Sequence, residues 1–188
     1  MLHTLVAYVE DKPGVLNRVA SLFRRRGFNI ESLTVGHTEQ EGVSRMTIVV
    51  DTDELGIRRV EANLYKLVNV LRVDDVTSEA AVVRDLALIK VAVTPANRSE
   101  VIQLADVFRA RVVDVANESL IIEITGTEDK IDKLVEVMRP FGIIEMVRTG
   151  RVAMARGANA ISPNPPLVAA AVPEGTPTKL DPAIAMSV

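Results

Sequence analysis

LHTLVAYVEDKPGVLNRVASLFRRRG, residues 2–27, holds the reading on which the fold turns. Residues 2–9 are rich in strand formers and stop abruptly at Glu10-Asp11-Lys12-Pro13-Gly14, where proline and glycine interrupt strand pairing. From Val15 the apolar residues Val15, Leu16, Val19, Ala20, Leu22 and Phe23 follow helical spacing, with Arg18 and residues 24–26 off that stripe, and Gly27 is a natural stop. The stretch is therefore strand, turn, helix.

Working outward, residues 29–38 and 43–51 read as two strands of a hairpin around the polar connection 39–42. Leu55, Val60, Leu64 and Leu67 resume helical spacing, and residues 69–76 give a fourth strand, completing the order βαββαβ. The order then recurs. Residues 86–94 are strand-like, and Val101, Leu104, Ala105 and Phe108 mark a helix face. Residues 111–116 and 119–125 form a hairpin about Asn117-Glu118. Ile131, Leu134, Val135 and Met138 mark a second helix, and residues 143–148 a last strand. Two such copies predict an α+β protein of two ferredoxin-like βαββαβ sandwiches, residues 1–77 and 86–157, joined by a charged linker over 78–85. Residues 158–188 carry most of the prolines and no periodicity, and read as a disordered or loosely docked tail.

Composition narrows the function. The 188 residues are 48% hydrophobic and 25% charged, with a net charge of −3, which argues for a folded chain and against a phosphate-binding surface as its main business. Without cysteine there is no disulfide, thiolate metal site or cysteine nucleophile, and a cytoplasmic address is the economical one. His3 and His37 are too few for a histidine-rich metal cluster and read as surface or packing residues. No basic leader precedes an apolar run, and no stretch of about 18 uncharged apolar residues occurs, so neither secretion nor membrane insertion is expected.

An RNA-recognition module on this fold would need stacking aromatics, yet the chain is 3% aromatic and has no Trp. A metallochaperone would need paired cysteines. An acylphosphatase-like enzyme would need an arginine in a glycine-rich phosphate loop after the first strand, where this chain offers DKPG. A small-molecule sensor needs only a backbone-lined cleft. Pro13 fixes φ, Gly14 removes the Cβ that would block backbone approach, and the following helix start presents N–H groups suited to a carboxylate. Asp11 beside it could meet an ammonium, so the turn has the two parts a free α-amino acid requires; a purely structural turn and helix start would use the same residues.

VEDKPGVLNRVASLFRRRGFNIESLTVG, followed by SRMTIVV and KLVNVLRV, resembles the regulatory small subunits of acetolactate synthase (acetohydroxyacid synthase), whose N-terminal half is an ACT domain. Residues 27–35 with 44–48 are more specific than DKPG, which occurs across ACT domains; Asp11 stands where relatives often have Asn. The resemblance covers residues 3–76 well and continues more weakly to about Gly157. It implies a non-catalytic chain without a cofactor of its own. Its partner would be a large subunit that carries thiamine diphosphate, Mg²⁺ and FAD, which it activates and subjects to feedback inhibition, usually by valine.

The resemblance also implies an effector site between the ACT domains of a homodimer, with no nucleic acid or membrane partner. Asp11 would face the amine, and the backbone at Gly14, Val15 and Leu16 the carboxylate. Asn29 and Ile30 would come from the edge strand of the second subunit, Asn29 bonding the ligand and Ile30 lining an apolar pocket. A stand-alone amino-acid sensor built on the same site is the alternative. Arg24, Arg25 and Arg26 read as solvated side chains complementing the helix dipole, with a large-subunit contact as the other reading. Asp74 and Asp75, adjacent on a strand, point to opposite faces and do not form an acid/base couple, and Met46 reads as core.

Overall fold

The computed structural model describes residues 1–157; the expected tail lies outside the described residues. The first unit runs β1 (Leu2–Glu10), α1 (Val15–Arg26), β2 (Ser32–His37), β3 (Val43–Asp51), α2 (Glu54–Leu64) and β4 (Val70–Asp75). Its strands form an antiparallel sheet in the order β2-β3-β1-β4. The second unit runs β5 (Ala81–Ala92), α3 (Arg98–Val107), β6 (Arg111–Val115), β7 (Ser119–Gly126), α4 (Glu128–Met138), a 3-10 turn (Arg139–Phe141) and β8 (Ile143–Arg148), with sheet order β6-β7-β5-β8. A last strand, β9 (Val152–Ala155), pairs with β5. The fold is the expected pair of ferredoxin-like sandwiches.

Alternation decides which side each strand buries. Leu5, Ala7 and Val9 of β1 share a face with Met46, Ile48 and Val50 of β3, and these meet Val15, Val19, Leu22 and Phe23 of α1 and Ile57, Val60 and Leu64 of α2. Phe23 is 1% exposed, so Phe23→Ala would open a cavity costing about 3–5 kcal/mol. The second core repeats the scheme with Ala87, Ile89 and Val91 of β5, Leu120, Ile122 and Ile124 of β7, and Ile131, Leu134 and Met138 of α4.

The expected linker over 78–85 needs correction, because from Ala81 onward it is already strand. Residues 81–84 pair with β9 and residues 85–92 with β7, so β5 passes from a two-stranded ribbon into the second sheet. That ribbon covers the helix-free face of the first sheet: Val83 and Ala153 pack with Val6, Tyr8, Val43 and Val76. Arg45 lies 5.7 Å from the Tyr8 ring centroid and donates to the Ala153 carbonyl at 2.5 Å. Coverage of both faces explains why β1 is buried almost without alternation.

Candidate functional site

The turn between β1 and α1 is built by its own backbone. Asp11 N–H donates to the Gly42 carbonyl at 2.8 Å, Val15 N–H to Lys12 at 3.3 Å, and Arg18 N–H to Gly14 at 3.0 Å. Gly14, the N-cap, has φ 84°, a left-handed conformation that explains glycine there, and a Cβ at that position would meet nothing within 4 Å. No side chain caps α1 and no acidic residue lies in its first turn, whereas Arg24, Arg25 and Arg26 occupy its last turn before Gly27, at φ 72°. The positive end of the helix therefore has neither a side-chain cap nor an acidic residue in its own first turn, which favours an anionic ligand. Val15 turns its side chain into the core, Leu16 remains exposed, and Asp11 sits exposed beside them.

Sequence reasoning missed two residues that frame this turn. His37, at the end of β2, brings its Nδ1 within 3.2 Å of the Asp11 carboxylate. Register explains the meeting: His37 pairs with Ser44, and Ser44 with Val9, so the end of β2 lines up with the exit of β1. Asn69 is buried; its side-chain amide donates to Glu10 at 2.5 Å and its carbonyl oxygen accepts from Arg18. The bond from Asn69, together with Lys12, holds the Glu10 carboxyl below the usual carboxylate range. Neither residue carries a linear signal, because each acts through strand register.

Asn29 and Ile30 lie elsewhere, and not on a strand: β2 begins at Ser32, so both occupy the connection between α1 and β2. The Asn29 amide donates to the Glu31 carboxylate at 2.5 Å, and Ile30 packs partly against the first core. Twelve helical residues, about 18 Å, separate this connection from Gly14 within one chain. The structure thus brings together Asp11, Gly14, Val15 and Leu16, and leaves Asn29 and Ile30 at the other end of α1.

A cavity of about 430 Å³ opens beside that far end, between the start of β2 and residues 148–151. Its walls are tied to one another. Arg151 donates from its backbone to Ser32 Oγ at 2.8 Å and from its guanidinium to Thr4 Oγ1 at 3.2 Å and Glu128 at 2.9 Å. Arg148 reaches Asp132 at 3.1 Å and the Glu128 carbonyl at 3.1 Å, with Nε 3.5 Å from the buried Asp85 carboxylate. Burial pushes the Asp85 carboxyl up, and the neighbouring arginines only partly oppose it. This is a polar joint between the two units.

The remaining singled-out groups have structural partners. His3 is buried, with Nδ1 3.1 Å from Asp75. Asp74 pairs with Arg72 on the opposite face of β4, and Met46 is core. Among the described residues, no group of three or more His, Cys, Asp or Glu side chains could hold a metal ion, and no helix is long and apolar enough to cross a membrane.

Comparison with known proteins places these features in a family. Residues 84–157 match the family described as small subunit of acetolactate synthase, and residues 5–72 the family described as AHAS small subunit-like ACT domain. The chain is 54% identical over 157 residues to the probable acetolactate synthase small subunit of Archaeoglobus fulgidus, covering 84% of this chain and 98% of that one. It is 49% identical over 159 residues to the acetolactate synthase small subunit of Mycolicibacterium smegmatis, covering 85% and 94%. Among solved structures, the acetolactate synthase small subunit of Thermotoga maritima superposes with a TM-score of 0.79 at 41% identity, over 85% of this chain and 99% of that one.

Proposed function

The chain belongs to the acetolactate synthase small-subunit family, and from that premise we propose that it raises the activity of a catalytic large subunit and confers feedback inhibition by a branched-chain amino acid, valine first. The chemistry is the large subunit's, with thiamine diphosphate, Mg²⁺ and FAD bound there and none on this chain. The assembly works in the cytoplasm.

One observation carries the reading: the uncapped start of α1 at Gly14, open to solvent, with the Asp11 carboxylate beside it. The α1 amides take the effector carboxylate and Asp11 its ammonium, the opposite ends of a zwitterion. Asn29 and Ile30 complete the site from a second copy, because one chain holds them about a helix length away. The outer edge of β2, which pairs with no described strand and has no proline, offers the pairing surface for a side-by-side homodimer. A valine-sized ligand held by these few contacts binds in the micromolar to millimolar range.

The test is reconstitution. Purified large subunit is titrated with this chain, then with valine, leucine and isoleucine, while calorimetry follows valine on the chain alone and light scattering follows its mass. Activation, saturable inhibition, valine heat and a dimer are expected. A monomer at micromolar concentration, or a valine-insensitive complex with no binding heat, overturns the effector-site reading.

A further inference from the structure

We infer that the outer surface of the α1/α2 layer docks an acidic face of the catalytic large subunit. The inference rests on the function proposed above and names where that partner sits.

Residues 15–26 and 54–68 carry seven Lys or Arg and two Glu, a surplus of five positive charges in a chain of net charge −3. Arg24, Arg25, Arg26, Arg58 and Arg59 are all exposed, and none of them forms an ion pair with a described residue. Among the described residues, the Arg25 Nε reaches the Ser21 carbonyl at 3.3 Å, and Lys66 reaches Asn63 at 3.3 Å. Arg25, Arg26 and Lys66 share one cleft of about 260 Å³ between the helices. Like charges gathered this way repel one another in the free chain, and among the described residues no carboxylate forms an ion pair with these five arginines.

The composition of the patch points to a protein partner. Six of its seven cations are Arg, whose planar fork binds carboxylates bidentately and sheds water more readily than Lys. Exposed aliphatic side chains lie among them, Leu55 at 64% and Val68 at 85%, and arginine with exposed apolar area marks interfaces more than solvated surfaces. Nucleic acid fits less well. Arg24, Arg25 and Arg26 surround the carbonyl end of α1, whereas phosphates favour the amide end, and the patch offers only Tyr65 for stacking, its hydroxyl already bonded to Val73.

The rest of the first unit is committed elsewhere. Its helix-free face is covered by the β5–β9 ribbon, and the amide end of α1 lies about 18 Å from the arginine cluster.

The experiment uses the full chain with Arg24, Arg25, Arg58 and Arg59 all changed to Glu, and a milder version with all four changed to Gln. Each is titrated into purified large subunit at about 50 and about 300 mM salt, with activity as the readout and thermal melting of the chain alone as the control for folding. For the Glu variant the half-saturating concentration should rise about 30-fold or more, four exposed contacts acting together, and for the Gln variant about tenfold. Wild type should weaken with salt and the Gln variant less so, while both variants still melt cooperatively. Equal half-saturating concentrations for wild type and both variants overturn the inference alone. Loss of retention on immobilised single-stranded DNA with activation intact also overturns it, in favour of nucleic acid. A wild-type chain that neither raises the activity of the large subunit nor coelutes with it overturns this inference and the proposed function together.

Discussion

Glu10 and Asn69 exchange two bonds: the Glu10 amide donates to the Asn69 carbonyl at 2.9 Å, and the Asn69 side-chain amide donates to the Glu10 carboxylate at 2.5 Å. Because Arg18 also donates to the Asn69 side chain, one buried residue joins the end of β1, the approach to β4 and the first turns of α1 beneath the β1–α1 turn. Asn69→Ala leaves these partners unsatisfied and should cost about 2 kcal/mol of stability. Urea unfolding measures the cost, and valine calorimetry should show weaker binding; an unchanged midpoint and isotherm would mean that water replaces the amide at no cost.

The same pair sets an acid limit. The Glu10 carboxyl is held below its unfolded value, so its contribution is present above that value and is lost as pH falls through the depressed folded one. Urea midpoints of wild type should decline below about pH 4.5, and Glu10→Gln should flatten that part of the decline. Parallel acid profiles for the two proteins would remove Glu10 from the account.

Gly14 separates strain from charge. With open space around its Cβ position, Gly14→Ala meets only the left-handed backbone penalty of about 1 kcal/mol. Gly14→Asp adds a carboxylate where the ligand carboxylate would sit, a loss of about 1.5–3 kcal/mol, or roughly 10- to 150-fold in affinity. In the reconstituted complex Asp should abolish valine inhibition while sparing most basal activity, and Ala should only blunt it. Identical inhibition curves for Gly14→Asp and wild type would put the effector elsewhere.

Most of the fold was legible because the helices are amphipathic and the turns carry their own chemistry: Pro13-Gly14 and Gly27 bound α1 as glycine and proline dictate. What escaped depends on partners distant in sequence. Residues 81–84 become strand only because residues 152–155 return to pair with them, and four residues with Arg84 and Arg151 nearby show no strand pattern of their own. The unbroken apolar run of β1 was the available sign that something covers the second face of the first sheet. At the site, Asp11 and Gly14 follow from local turn chemistry, whereas His37 and Asn69 arrive through register. Asn29 lies outside the expected strand, since β2 begins only at Ser32, and its side chain bonds the Glu31 carboxylate.

Gly150 keeps the joint between the units closed. A Cβ there would lie 2.5 Å from Thr34 Oγ1, 2.7 Å from Ser32 Oγ and 2.9 Å from the Leu33 carbonyl, and the last of these is backbone that cannot swing away. Gly150→Ala should cost about 2–3 kcal/mol, the range for overpacking, and should break the bond from the Arg151 amide to Ser32. Thermal melting gives the loss, and limited proteolysis near residue 150 the opening. A wild-type melt would show that β2 yields at this point.

Asp85 makes the opposite pH prediction. Burial raises its folded pKa above the unfolded value, so the stability contributed by its protonated form is fully present below the unfolded pKa and is lost as pH rises through the folded one. Its Oδ1 has no hydrogen-bond partner among the described residues, and the Arg148 Nε is 3.5 Å from Oδ2, too long to repay desolvation in full. Asn keeps the shape without the charge, and Arg148 retains Asp132 and the Glu128 carbonyl. Asp85→Asn should therefore be more stable than wild type at neutral pH, by about 0.5–1 kcal/mol, with the advantage fading toward pH 4 as wild type takes up its proton. Urea unfolding of both proteins between about pH 4 and 8 decides the matter. If Asp85→Asn is the weaker protein at neutral pH, attraction to Arg148 and Arg151 outweighs burial, and the joint is held by ion pairing rather than in spite of it.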